Sequence, residues 1–266
     1  MASDAELLRK ARSGDGASLD ELLARHERRI FRFGLRMCGN EEDARDVLQE
    51  TLLAAFRNIE GFRGDAQLST WLYQIARSFC LRARRRGPGE PESTEPLEAP
   101  AAARLASELE EPDAQAHARE IGQLLQAAIL SLPVAHREAL VLRDVEGLSA
   151  EEAARVVGIE VGALKSRLHR ARMELRERLG DVLSSGAAQP GCPELAEELA
   201  AYATEDIDQA ACARIEEHLS RCRSCAGACA SLQRTVSFCR QIPGGQVPAP
   251  VRAAIRAALL AAPSAR

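Results

Sequence analysis

Residues 132–179 read LPVAHREALVLRDVEGLSAEEAARVVGIEVGALKSRLHRARMELRERL, and this stretch decides the fold. After Pro133, apolar residues recur at helical spacing through Ala139, Leu140 and Leu142, and Gly147 breaks the pattern, so a first helix ends there. Ser149 with Glu152 forms a capping box for a second helix, which buries Ala153, Val156 and Val157 and stops at Gly158. A third helix from about Gly162 buries Leu164, Leu168, Ala171 and Leu175, while Lys165, Arg167, His169, Arg170, Arg172 and Arg176 give it a basic outer surface. Two short helices joined by a tight glycine-containing turn, the second basic outside, is the sequence form of a helix-turn-helix. In a major groove, its N-terminal residues Glu160 to Arg167 would meet base edges and later arginines would meet phosphates. The same pattern also fits a three-helix bundle with a solvated basic face.

The run Gly162, Lys165, Ser166, Arg167, Leu168, Arg170, Ala171 and Arg172 resembles the promoter −35 recognition domain of extracytoplasmic-function sigma factors of the sigma-70 family. Ala163 and Leu164 stand where that family usually has threonine and valine. The resemblance implies that Lys165, Ser166, Arg167, Arg170 and Arg172 contact −35 DNA.

Upstream, Ala5 to Leu23 reads as a helix, a Gly-Asp-Gly interruption and a second helix start that runs on toward Cys38. Asn40 with Asp43 caps the next helix, which buries Ala44, Val47, Leu48, Leu52, Ala55 and Phe56. Residues 43–56, DARDVLQETLLAAF, resemble the segment with which sigma factors grip core RNA polymerase, which implies that role for Asp46, Gln49 and Glu50. An acidic face of this kind is otherwise simply solvated. The helix STWLYQIARSFCLRARRR follows, with Trp71, Leu72, Ile75, Ala76 and Phe79 as its packed stripe. By resemblance it recognises and melts the −10 element, with Trp71, Arg77, Arg82, Arg84, Arg85 and Arg86 toward DNA. Ser78 and Arg82 stand where asparagine and aspartate are common. Arginines along opened DNA would neutralise phosphates independently of sequence.

The chain has 266 residues, enough for two or three small domains, and its formal charge of −4 hides a segregation of basic and acidic stretches. Aromatics make up 3%, which argues against a base-stacking platform as the main device. No basic-then-apolar leader and no membrane-length apolar run is present, so a cytoplasmic location without membrane contact is expected. Between Gly87 and Asp113, eight acidic residues face one basic residue in a Pro-, Glu- and Ala-rich composition that builds no core, at most a short helix near residues 101–109.

Six of the eight cysteines lie at or beyond Cys192. In a reducing compartment they point to metal binding or redox sensing rather than disulfides. His218, Cys222 and Cys225 share one helical face and end in a Cys-x2-Cys pair, a ligand set suited to zinc, cadmium or cuprous copper. On a straight helix Cys229 would sit about 16 Å from His218, too far for one ion. Cys192, returned by a helical hairpin, is therefore the expected fourth ligand. Cys212 and Cys229 fit either small core positions or a second thiolate site, with Cys229 and Cys239 as its members. Residues 250–260 form a short amphipathic helix suited to packing on the protein.

The His-x3-Cys-x2-Cys pattern resembles the zinc-finger domain of zinc-binding anti-sigma factors. Behind a sigma factor in one chain, it resembles the CorE-like metal-responsive group. The expected architecture is all-α: residues 1–86 for core polymerase and the −10 element, an acidic linker 87–117, a −35-reading helix-turn-helix 118–183, a short linker 184–191, a cysteine-rich metal domain 192–241 and a tail 242–266. The expected function is a non-enzymatic, metal-responsive sigma factor whose partners are core RNA polymerase and promoter DNA. A redox-responsive sigma factor and a stand-alone helix-turn-helix regulator are its rivals. Whether a separate anti-sigma partner exists is not written in the sequence.

Overall fold

Side-chain caps set the helix boundaries at the front of the chain. In α1 (Asp4–Arg12), Ser3 and Glu6 close a capping box. Asp15 accepts the N–H groups of Ala17 and Ser18 to open α2 (Gly16–Cys38), which stops at Gly39 with φ +88°. As the sequence implies, Asn40 Oδ1 accepts the Asp43 N–H at 2.8 Å and opens α3 (Glu41–Asn58). A 3-10 turn (Ile59–Gly61) leads toward α4 (Leu68–Arg86). This computed structural model describes residues 2–62, 64, 67–86, 122–179, 192–203, 207, 209–241 and 247–261. The expected linkers at 87–117 and 184–191, and the short helix near 101–109, lie outside the described residues.

Two compact units account for the chain, Met1–Arg119 with Pro243–Arg266, and Glu120–Ile242. In the first, α2, α3 and α4 pack on one another and bury Leu22, Ile30, Phe31, Phe33 and Met37 of α2, Leu48 and Leu52 of α3 and Leu72 of α4. A Cβ on Gly34 would lie 3.1 Å from the Ala44 Cα, so a larger residue there would push α2 and α3 apart by a few tenths of an ångström. The buried line of α4 is Leu72, Tyr73, Ala76 and Cys80. That corrects the sequence-based stripe: Trp71, Ile75 and Phe79 are half-buried, because the helix is rotated to bring Tyr73 edge-on to Phe33, ring centroids 5.4 Å apart. Helix α12 (Ala249–Ala261) also belongs to this unit and packs against α3.

The second unit begins with α5 (122–130) and α6 (Val134–Leu140), which widens without interruption into a π-turn (Val141–Val145). There the Glu146 N–H donates to the Val141 carbonyl at 2.9 Å and the Leu148 N–H to the Leu142 carbonyl at 3.1 Å. The Ser149–Glu152 capping box opens α7 (Ala150–Val157), Gly158 closes it with φ +76°, and α8 (Val161–Arg178) follows. A 3-10 turn (Pro193–Leu195) then precedes α9 (Ala196–Tyr202), α10 (Gln209–Arg221) and α11 (Arg223–Gln241). Helix α11 packs against both α8 and the π-turn, and α9 also meets α8.

The π-turn aims Asp144 inward, onto α8. Arg172 donates to it through Nε at 2.9 Å and Nη2 at 2.7 Å, and the two residues are 3% and 1% exposed at the side chain. This corrects the expectation that Arg172 contacts DNA: its guanidinium is spent inside the module as a bidentate brace. Removing Asp144 takes both of these charge-assisted bonds away from a guanidinium that stays buried. Asp144→Ala is expected to lower the stability of this unit by about 3–5 kcal/mol, measured by urea unfolding with hydrogen exchange followed on α8. A loss under about 1 kcal/mol would contradict the brace.

Candidate metal centre and nucleic-acid-binding faces

The cysteine-rich hairpin is built on a small apolar core. Leu199 of α9, Ile215 of α10, and Cys225 and Cys229 of α11 are buried together, with Leu195, Tyr202 and Leu219 packed around them. That core draws the three helices to one end, where the ligand atoms of Cys192, His218, Cys222 and Cys225 all lie within 4.8 Å of one another. His218 Nε2 stands 3.2 Å from Cys225 Sγ.

The sequence expectation that His218, Cys222 and Cys225 ride one continuous helix needs correction. Helix α10 ends at Arg221 and α11 begins at Arg223, with Cys222 between them. Cys222 still donates its N–H to the His218 carbonyl at 2.9 Å, and its own carbonyl accepts the Ala226 N–H at 3.0 Å, so it is the N-cap of α11. Its sulfur accepts backbone N–H groups at the head of that helix. The Cys225 N–H foremost, with help from the Cys225 and Cys192 side chains and the Ser224 N–H, holds the Cys222 thiol below its ordinary value. The Cys192 thiol is pushed up to about 11, first by donating to the Cys225 sulfur and then by burial and neighbouring thiolate charge. The Cys192 N–H also donates to Cys225 Sγ at 3.2 Å, a backbone bond of the kind that orients a ligating sulfur.

These donors fit a tetrahedral soft-metal site. Bonds of about 2.0–2.3 Å place ligands about 3.3–3.8 Å apart; His218 Nε2 and Cys225 Sγ are 3.2 Å apart, and the four ligand atoms all fall within 4.8 Å. Three sulfurs and one imidazole suit zinc or another thiophilic ion, and such an ion would deprotonate the Cys192 thiol outright.

Among the described residues, Cys229 and Cys239, the expected members of a second thiolate site, do not come together. Cys229 and Cys239 both lie on α11, ten residues and about 15 Å apart along its axis. Both are buried, at 4% and 1% exposure, and burial pushes the Cys229 thiol up. Cys229 belongs to the hairpin core instead. Cys212 is half-buried with its thiol 3.5 Å from Glu216 Oε1, and it too is raised, by burial first.

On α8, Lys165 and Arg170 are exposed, and Ser166 and Arg167 half-buried. Lys165 and Arg170 thus stay exposed although α11 packs on this helix. On α3, Asp46 and Glu50 are exposed and Gln49 is half-buried. On α4, Trp71 lies against Phe62 with centroids 5.1 Å apart, and the Arg82 guanidinium sits 4.1 Å over the Phe79 ring. Arg77 and Arg84 are half-buried. The side chains of Arg85 and Arg86 lie outside the described residues. Sequence reading missed the Asp144–Arg172 pair, for which spacing gives no signal, and the capping role of Cys222, for which an acceptor side chain just ahead of an apolar helical run was a usable one.

A two-module, all-helical protein with a basic helix-turn-helix belongs to the class of DNA-reading transcription proteins. Residues 22–87 match the Sigma-70 region 2 family and residues 122–175 match the Sigma-70, region 4 family. Among curated proteins, the chain is 38% identical over 180 residues to the ECF RNA polymerase sigma factor SigM of Mycobacterium tuberculosis, covering 67% of this chain and 85% of that one. It is 37% identical over 183 residues to SigE of Mycolicibacterium smegmatis, covering 66% and 68%, and 30% identical over 181 residues to SigW of Bacillus subtilis, covering 66% and 96%. The chain belongs to the ECF sigma factors of the sigma-70 family, which are non-catalytic initiation factors. The two matched regions end at residue 175, ahead of every metal-site residue. No helix among the described residues is long and apolar enough to cross a membrane.

The four-ligand site predicts one zinc per chain by native mass spectrometry. Cys225→Ser is expected to abolish that binding and Cys212→Ser to leave it intact. Two zinc ions per chain, or full retention in the Cys225 variant, would contradict the assignment.

Proposed function

We propose that the chain is a metal-responsive sigma factor of the cytoplasm. Its first module, residues 1–86, meets core RNA polymerase through Asp46, Gln49 and Glu50, and opens the −10 element with Trp71 and the arginines at 77, 82, 84, 85 and 86. Its second module, residues 118–183, reads the −35 element through Lys165, Ser166, Arg167 and Arg170. The cysteine-rich segment 192–241 holds zinc, or senses cadmium or copper, at Cys192, His218, Cys222 and Cys225. In this it is similar to the CorE-like group.

The observation that carries this reading is the continuity of α11. Its first turn bears Cys225 and is capped by Cys222, while the same helix packs on α8 and the π-turn. A change in ligation at the head of α11 is thereby connected to the helix-turn-helix in the same rigid element. For a switch, the ion must prefer one arrangement; a 100-fold preference corresponds to about 2.7 kcal/mol of bias. A site that is always filled would only stabilise the fold. Because Lys165 and Arg170 stay exposed, the control works through the placement of the module rather than by covering its leading basic residues.

A redox version uses the same atoms, since oxidising Cys222, the thiol held toward thiolate, would expel the ion. Reconstituted transcription with core RNA polymerase separates the two. Output is expected to change several-fold between chelator-treated protein and protein loaded with zinc, cadmium or copper under reducing conditions. His218→Ala or Cys222→Ala is expected to remove that difference while promoter choice stays the same. Metal-dependent output that survives in both variants would contradict the proposal, and a response to peroxide alone would favour the redox version.

A further inference from the structure

The far end of the chain comes back to its beginning. Helix α12 packs against α3 in the first unit, with Ile255 fully buried and Val247, just ahead of the helix, 5% exposed. Two arginines one turn apart reach carboxylates on α2. Arg252 Nε lies 3.1 Å from Glu27 Oε2, and Arg256 Nη2 lies 3.4 Å from Asp20 Oδ2. The order of pairing is reversed along the two helices, so a two-point register defines how α12 sits.

Glu27 is 7% exposed, and a carboxylate so removed from water needs a cation beside it. Burial pushes its carboxyl up, and Arg252, 225 residues away in sequence, opposes that shift. An acidic pair flanking an apolar contact is a surface built for a basic amphipathic helix.

We infer that the α2–α3 face is a docking site for an arginine-bearing helix, occupied in cis by α12, and that α12 competes there with core RNA polymerase. The competition rests on the reading that α3 meets polymerase through Asp46, Gln49 and Glu50. Asp46 and Glu50 remain exposed while α12 is docked, so polymerase can make first contact through them. Full engagement along α3 then requires α12 to leave. If α12 is docked about nine-tenths of the time, it weakens apparent polymerase affinity about tenfold.

The test uses full-length protein in three forms: wild type, Arg252→Glu with Arg256→Glu, and the charge-swapped Asp20→Lys with Arg256→Glu. The substituted arginines are exposed, so folding is expected to be retained, and circular dichroism checks it. Hydrogen exchange on α12 is expected to be at least tenfold faster in the double-glutamate protein and close to wild type in the charge swap. Affinity for purified core RNA polymerase is expected to rise about five- to tenfold in the double-glutamate protein and to fall back in the swap. Unchanged exchange on α12 would overturn the docking site. Faster exchange with unchanged polymerase affinity would overturn the competition while the docking site stands. Failure of all three proteins to bind polymerase would overturn the polymerase reading and the competition together, and exchange would still decide the docking site.

Discussion

A one-residue interruption between α10 and α11 is the constraint on which the cysteine-rich hairpin depends. Were His218 and Cys225 on one straight helix, they would be separated by about 10 Å along its axis, beyond the reach of one ion. With the helix broken at Cys222, His218 Nε2 and Cys225 Sγ lie 3.2 Å apart and Cys192 closes the set. The same residue caps the new helix with its carbonyl and its sulfur. An ion held by these four residues would therefore sit at the very start of α11.

From that point the geometry leads into the DNA-reading module. Helix α11 lies on α8 and the π-turn, and those two elements are locked to each other by the buried Asp144–Arg172 pair. The wide turn at residues 141–145 is what lets Asp144 face inward. Arg172 shows how a basic helix divides its charges: one guanidinium braces the module while Lys165 and Arg170 remain on the surface. Family membership explains the two matched modules, and the metal-site residues lie beyond them.

Much of this was legible because it is local. Ser149 with Glu152, Asn40 with Asp43, and Gly158 announce helix ends through contacts three or four residues long, and they are found as read. The His-x3-Cys-x2-Cys pattern with Cys192 upstream also picked out the four residues that come together, although the helix rise that set Cys229 aside would have set Cys225 aside too had the helix run straight. What stayed hidden depends on tertiary partners. Nothing in the sequence rotates α4 to bury Tyr73 rather than Trp71, because Phe33 on another helix decides it. Arg172 looks like its exposed neighbours until Asp144, 28 residues earlier, is placed opposite it. Cys229 and Cys239 read as a thiolate pair until their shared helix puts them far apart.

The central claim is that the ion-binding head of α11 and the helix-turn-helix respond as one body. Hydrogen exchange on the full chain, compared before and after chelation and again after zinc is restored, tests it most directly. Chelation is expected to speed exchange in α10 and the first turns of α11 and also in α8 and residues 141–145, with zinc reversing all of it. If the change stops at α10 and the head of α11 while α8 and the π-turn exchange as before, the ion stabilises only its own hairpin and the account is contradicted.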